Sequence, residues 1–174
     1  MPPVDKISTF NFNHKDSKGI VADLLELNPI AVSENEKIDE VDVIIGGPPC
    51  QAYSIAGRVR DENGMQDDYR NFLFESYVKM VYHFQPKAFV FENVEGILSA
   101  KPGGISIVKR VRQAFEEIGY EITQDLRGNA LFDTSYYNVP QKRKRVIIFG
   151  VQKNKNSTRI NLGYSFINFY CKNS

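Results

Sequence analysis

One stretch of the sequence, VDVIIGGPPCQAYS at residues 41–54, places a cysteine directly after two glycines and two prolines. Its apolar start predicts a buried strand, and the Gly-Gly-Pro-Pro run predicts a rigid loop where that strand ends. Pro48 and Pro49 restrict the backbone before Cys50 and hold its thiol in place. Open α/β sheets place their chemistry at the carboxyl ends of strands, so Cys50 is a candidate nucleophile.

Cysteine is also one of the residues most often buried, and a buried cysteine usually behaves as a small apolar side chain. Two further stretches favour the chemical interpretation of Cys50. Glu92 ends the apolar run FVFENV at residues 89–94, and the cation cluster PQKRKR at 140–145 precedes the run VIIFGV. The sequence thus offers a nucleophile, an acid and basic groups, each at one end of a predicted strand.

Between these stretches the sequence predicts the elements that position them. Apolar residues recur every three or four positions in 70–84 and 104–118, which predicts two helices packed on a sheet. Residues 120–126 alternate apolar and polar side chains, which is typical of a half-exposed strand, and residues 19–25 predict a short strand ending near Asp23. Strands alternating with helices indicate an open, mostly parallel α/β sheet with a late antiparallel strand.

Four of these segments resemble, in the same order, the motifs of bacterial cytosine-C5 DNA methyltransferases. GGPPCQAYSIAG resembles the nucleophile loop of that family, FENV its glutamate motif and QKRKR its Gln-x-Arg-x-Arg motif, while DDYRNFLF resembles the segment that begins the helix after the catalytic loop. Four ordered motifs across residues 42–150 are far more specific than any one of them. The resemblance implies a Rossmann-like fold that depends on S-adenosylmethionine, here incomplete.

The resemblance also implies a covalent mechanism. C5 of cytosine is too weak a nucleophile to take a methyl group directly, so the family adds a thiolate to C6 first. Cys50 matches that thiolate, and Glu92 matches the acid beside N3 of the base. Arg143 resembles the arginine that holds the base and its neighbouring carboxylate, with Arg145 in support, although PQKRKR by itself is typical of a solvated charge run. The target cytosine must leave the duplex, because C6 is not reachable in the base stack.

Cofactor contacts are implied at three positions. Asp23 resembles the acidic residue that hydrogen-bonds the adenine amino group of S-adenosylmethionine, while a helix cap at Leu24 explains the same aspartate equally well. Leu73 resembles a position whose side chain touches the cofactor, and core packing is the alternative. Pro49, in the nucleophile loop, is the third expected contact.

Contacts to double-stranded DNA are expected from the polar, glycine-containing loop that follows the cysteine. An exposed arginine pair is commonly only solvated surface, but the family places this loop over DNA. The expected contacts are Gln51, Ser54, Arg58 and Arg60.

Composition limits the remaining possibilities. The 174 residues are 42% hydrophobic and 25% charged with a net charge of +1, which is ordinary for one globular domain. Two cysteines and two histidines provide neither a disulfide framework nor a zinc ligand set, so no metal is expected and a reducing bacterial cytoplasm fits. The sequence has no apolar run of about 18 residues, so no membrane span is expected.

We interpret residues 19–153 as a partial catalytic domain, between a polar amino-terminal segment (1–18) and a tail (154–174) without a recognisable motif. The Phe-x-Gly-x-Gly cofactor loop and the target-recognition domain of the family are not found. The expectation is a fragment, a truncated product or one subunit of a split enzyme, inactive alone and completed by a second polypeptide. An RNA cytosine-C5 methyltransferase and a non-catalytic remnant are the alternatives.

Overall fold

The structure is a computed structural model that describes residues 4–48, 70–101, 104–153 and 166–169. The helices in this part of the chain are α1 (Val4–Asn13), α2 (Pro29–Glu36), α3 (Arg70–Phe84), α4 (Ile107–Glu117) and α5 (Leu126–Asn129). The strands are β1 (Val43–Gly46), β2 (Ala88–Val94), β3 (Tyr120–Ile122), β4 (Leu131–Asp133), β5 (Lys144–Gln152) and β6 (Phe166–Phe169). Short 3₁₀ turns lie at Glu95–Leu98 and Thr134–Tyr137.

The described strands form one mixed sheet in the order β3-β5-β2-β1-β6, with β4 also paired to β5. β1 is parallel to β2 and β6, and β5 is antiparallel to β2, β3 and β4. Strand β5 therefore runs against all the others, which confirms the predicted α/β sheet with a late antiparallel strand. The amino end of β5 therefore lies beside the carboxyl ends of β1 and β2. We call this edge the carboxyl end of the sheet.

One face of the sheet packs on α3 and α4 through aromatic side chains. The Phe89 ring stacks on Phe115 of α4 with centroids 4.0 Å apart, and Tyr77 of α3 meets Phe91 edge to face at 5.4 Å. All four side chains are fully buried. Gly150 is opposite Phe89 in the β2–β5 register, and a Cβ there would lie 2.1 Å from the Phe89 ring. The close approach of the two strands at this ring therefore requires glycine.

Tyr77 also connects two strands through its hydroxyl group. The hydroxyl lies 3.2 Å from the carbonyl oxygen of Ile44 and 3.0 Å from that of Val90, so its single proton is shared between β1 and β2. Burial raises the pKa of Tyr77 above its ordinary value, which keeps this donor protonated. Helix α3 is thereby fixed against the strands that carry the candidate nucleophile loop and Glu92.

The helix predictions for 70–84 and 104–118 are confirmed by α3 and α4, and Gly119 follows α4 with φ 92° as its terminating residue. The predicted strand at 19–25 is wrong. The backbone of this segment makes local contacts instead of pairing with a strand. Gly19 donates its N–H to the side chain of Asn11, and a turn forms at 24–26. Ile20 and Val21 are each 49% exposed, so this segment lacks the burial that favours a strand.

Other predicted boundaries changed for local reasons. The strand predicted over 120–126 ends at Ile122, because Asp125 accepts hydrogen bonds from the backbone of Arg127 and Gly128 and starts α5. Helix α1 lies within the polar amino-terminal segment, for which no helix was predicted, and β6 lies within the tail and pairs with β1. None of the described helices has both the length and the apolar character needed to cross a membrane.

Candidate active site

Glu92 and Arg145 form an ion pair at the carboxyl end of the sheet. The Nε atom of Arg145 lies 2.8 Å from Oε1 of Glu92. Arg145 is opposite Val94 in the β2–β5 register, so Glu92, two residues earlier, lies diagonally across on the same face. The side chain of Glu92 remains 43% exposed while that of Arg145 is 23% exposed. The pair therefore presents a held carboxylate that a ligand can reach.

The chain leaving β1 passes directly beside this carboxylate. A Cβ on Gly47 would lie only 2.6 Å from Oε2 of Glu92, so a larger residue would displace the carboxylate. The Asn93 side chain donates from Nδ2 to the carbonyl oxygen of Pro48 at 3.3 Å, which ties the start of the loop to β2. Both contacts bring the segment that leads toward Cys50 against Glu92.

Several expected site residues lie outside the described residues, so their positions stay predictions. Pro48 is the last described residue before this part of the chain, and Cys50 follows it two positions later. The residues concerned are Pro49, Cys50, Gln51, Ser54, Arg58 and Arg60.

The cations of the basic motif differ in the partners that their side chains contact. Arg145 holds Glu92 and also donates from Nη1 to the carbonyl oxygen of Lys144 at 2.7 Å. Lys144 pairs with Glu95 at 3.3 Å. Arg143 is exposed and has no carboxylate within 4.0 Å among the described residues. Arg145 therefore forms the ion pair with the glutamate, although the sequence predicted Arg143 as the main arginine and Arg145 as its support.

A small apolar cluster includes Leu73 and the residue that follows Asp23. Leu24, the neighbour of Asp23, packs with Leu73 and Met80, and each of the three is at most 7% exposed. The Oδ1 atom of Asp23 accepts the backbone N–H of Leu25 at 2.9 Å, so the aspartate does cap a turn. Its Oδ2 has no partner among the described residues. Leu73 is thus packed in an apolar cluster, while one oxygen of the Asp23 carboxylate stays open.

Sequence reasoning missed Asn93 and Gly47 as groups that position the site. The signal for Asn93 was present, because Asn93 lies two residues after Phe91 and four after Phe89 and therefore shares their buried face of the strand. A buried amide needs hydrogen-bond partners, and Pro48 is one of them. Nothing in the local sequence separates the role of Gly47 from that of Gly46, whose missing Cβ makes room for the Tyr77 ring instead.

Comparisons with known proteins identify a family that this chain matches. The family model described as C-5 cytosine-specific DNA methylase matches residues 5–170. The type II methyltransferase M.Bpa9945I of Bacillus paralicheniformis is 47% identical over 133 residues, covering 74% of this chain and 28% of that protein. The type II methyltransferase M.DdeI of Desulfomicrobium norvegicum is 36% identical over 148 residues, covering 84% of this chain and 33% of that protein.

A solved structure supports the same assignment. It is described as a DNA modification methyltransferase encoded within an E. coli prophage, and it matches with a TM-score of 0.64 and 31% identity. The match covers 84% of this chain and 37% of that one. The chain therefore spans roughly a third of the length of the proteins it resembles.

Proposed function

The chain belongs to the C-5 cytosine-specific DNA methylase family, and from that premise we propose that it acts in methyl transfer to C5 of a cytosine displaced from duplex DNA. The observation that carries the proposal is the meeting of Glu92, Arg145 and the exit of β1 at the carboxyl end of the sheet. Relatives named as type II methyltransferases support a bacterial restriction-modification setting in the cytoplasm.

In the proposed reaction the thiolate of Cys50 forms a bond from Sγ to C6 of cytosine, and the electron pair of the C5–C6 double bond moves toward C5. S-adenosylmethionine would supply the electrophilic methyl group, since its bond between sulfur and the methyl carbon breaks as the bond from C5 to that carbon forms, and S-adenosylhomocysteine would leave. Loss of the C5 proton to solvent and departure of the Cys50 thiolate from C6 then restore the aromatic ring. The two prolines before Cys50 restrict the backbone, which lowers the entropy cost of positioning the thiol for addition.

Glu92 holds a proton at N3 while negative charge spreads into the ring during thiolate addition. Arg145 engages Oε1 of Glu92, so the side chain keeps one orientation. The absence of a side chain at Gly47 leaves space beside Oε2. Arg143, exposed at the same end of the sheet, is free to contact the displaced base or a phosphate.

Three residues are proposed to hold the cofactor. The open Oδ2 of Asp23 accepts a hydrogen bond from the adenine amino group, and the apolar cluster around Leu73 contacts the ring. Pro49 lies in the loop next to the nucleophile and is assigned to the same ligand by its place in the motif.

We also propose that methylation requires the parts of the relatives that lie outside the matched region, supplied by further polypeptide. The support is coverage, because the matched segment is roughly a third of each relative. Arg58, Arg60 and the basic motif then provide phosphate contacts without base readout, and DNA binding by the 174-residue chain is salt-sensitive and sequence-tolerant.

A covalent trapping experiment tests the proposed nucleophile. The chain is incubated with S-adenosylmethionine and duplex containing 5-fluorocytosine, alone and with polypeptide carrying the remaining segments of a relative. We expect a trapped complex that Cys50→Ser abolishes. The second cysteine of the sequence provides a matched control, because Cys171→Ser should leave trapping intact. An adduct that survives Cys50→Ser would exclude this mechanism.

Calorimetry with S-adenosylmethionine and a tritiated-methyl assay on mixed-sequence DNA test the requirement for further polypeptide. Weak cofactor binding and no methylation are expected from the isolated chain. Tight binding with site-specific methylation would show that the chain is sufficient, and transfer into tRNA but not duplex DNA would favour an RNA methyltransferase.

A further inference from the structure

A surface loop at residues 134–143, which we call the tyrosine loop, joins β4 to β5 at the carboxyl end of the sheet. It carries two adjacent tyrosines that are strongly exposed, Tyr136 at 85% and Tyr137 at 59%. The Tyr137 ring lies 6.1 Å from that of Phe132 and is anchored by it. Tyr136 has no ring contact or hydrogen bond with any residue that the structure describes. A large aromatic side chain is thus held in solvent without a partner.

Hydrogen bonds fix the shape of the tyrosine loop at both ends. The Asp133 carboxylate accepts the hydroxyl of Ser135 at 2.7 Å and its backbone N–H at 3.1 Å, and these bonds lower the pKa of Asp133. Thr134 donates its backbone N–H to the carbonyl oxygen of Arg143 at 3.0 Å. Its hydroxyl donates to the carbonyl oxygen of Gln141. Tyr136 is therefore presented by a closed, internally bonded loop.

The tyrosine loop also carries two cations, and the charge of one of them, Lys142, helps to lower the pKa of Asp133. Lys142 and Arg143 end the tyrosine loop, both are exposed, and neither has a carboxylate within 4.0 Å among the described residues. An exposed aromatic ring and exposed cations in one loop are a combination that contacts nucleic acid, because bases or sugars pack on the ring while cations meet phosphates. Two residues after Arg143, Arg145 holds Glu92, so the loop leads directly into the candidate active site.

We propose that the tyrosine loop is a DNA-contacting surface beside the active site, with Tyr136 as its aromatic contact and Lys142 and Arg143 as its phosphate contacts. The inference rests on the proposed function in one respect, which is the choice of DNA as the polyanion. Charge complementarity favours DNA, and the fixed loop lowers the entropy cost of binding. Because the Tyr137 ring packs on Phe132, we expect Tyr136 and not Tyr137 to make the main aromatic contact with DNA.

The test uses the absence of tryptophan from the sequence. Tyr136→Trp introduces one indole, whose emission is measured while a short duplex is added at low salt. Tyr82→Trp is the matched control, since Tyr82 is also exposed, at 63%, but lies near the end of α3 that leads into the start of β2. We expect DNA to quench the emission of the first variant and to leave that of the second unchanged.

Fluorescence anisotropy with labelled duplex gives the affinities. Tyr136→Ala should weaken DNA binding about fivefold or more, the scale of one lost aromatic contact, and Tyr82→Ala should not change it. Replacing Lys142 and Arg143 with glutamine should reduce the dependence of affinity on salt.

Three outcomes overturn the inference. They are DNA binding without any change in the emission of Tyr136→Trp, no DNA binding by the unsubstituted chain at low salt, and stronger quenching by RNA than by DNA. The trapping experiment on Cys50 is independent. If the adduct forms but the emission at position 136 does not respond to DNA, the proposal for the tyrosine loop fails and the proposed function stands. If the emission responds but no adduct forms, the proposed function fails and the DNA contact of the tyrosine loop stands.

Discussion

The two faces of the sheet are built from alternate residues of the same strands, yet they differ in burial and in chemistry. Phe89, Phe91, Val146 and Ile148 point toward α3 and α4, and each is at most 1% exposed. Their sequence neighbours on β2 and β5 point to the opposite face, where Phe149 is 52% exposed. That second face also carries Glu92 and Arg145 at the carboxyl end of the sheet.

This difference separates stability from function on two sides of one sheet. The first face supplies the aromatic packing that fixes the strands, and the second carries an ion pair that remains partly accessible. Because strand side chains alternate with a period of two, a single residue step moves a side chain from one task to the other. Substitutions on the two faces should therefore change different measurements.

The largest expected effect is on stability, at Phe89. Phe89→Ala removes a fully buried ring stacked on Phe115 and should lower the free energy of unfolding by about 3–5 kcal/mol. Phe149→Ala, on the neighbouring strand but the opposite face, should cost less than about 1 kcal/mol because the ring is half exposed. Denaturant unfolding measures both. Equal losses would contradict the division between the faces.

The next effect is on catalysis, at Glu92. Glu92→Gln keeps the size of the side chain but removes the acid, so methyl transfer in a reconstituted enzyme should slow roughly 100-fold or more. Stability and DNA affinity should change little. Glu95→Gln is the matched control, because Glu95 is an exposed carboxylate paired with Lys144. An unchanged single-turnover rate for Glu92→Gln would remove this residue from the mechanism.

Gly47→Ala should produce a smaller loss of rate by moving the Glu92 carboxylate. The added Cβ would meet Oε2 at 2.6 Å, and a misplaced catalytic group should reduce the single-turnover rate roughly tenfold or more. The double variant Gly47→Ala, Glu92→Gln serves as the control. If the glycine acts only through the carboxylate, Gly47→Ala adds little to the loss that Glu92→Gln already causes. Additive losses would indicate a separate role for position 47.

The smallest effect concerns the fixed end of the tyrosine loop. The pKa of Asp133 is lowered from its ordinary value of 3.8 by the hydrogen bonds from Ser135. A carboxyl group whose pKa is lower in the folded state than in the unfolded state stabilises the fold at pH values above the unfolded-state pKa. That stability is lost as the pH falls through the folded-state pKa. Asp133→Asn should therefore lower the melting temperature slightly at neutral pH, and the difference should disappear in strong acid. A difference that is constant with pH would assign the effect to something other than the charge.

Local sequence was sufficient for much of the fold. Helical spacing predicted α3 and α4, and apolar runs predicted β1, β2 and β5, while the ordered motifs proposed Glu92 and the basic cluster as candidate site residues. These features depend on side-chain periodicity and motif spacing, which are properties of short segments. Failures occurred where a segment needed a distant partner. Residues 19–25 have strand-like composition but pair locally, and β6 exists through its pairing with β1.

Only the tertiary structure decided which groups meet at the site. A sequence of strands does not give their directions, and PQKRKR reaches Glu92 because β5 runs antiparallel to β2. Register then selects Arg145 for the ion pair, because Arg145 lies within β5 opposite Val94, whereas Arg143 lies in the loop before β5 begins and stays exposed. Direction and register are set by long-range backbone pairing and by packing against α3 and α4, which no single segment contains.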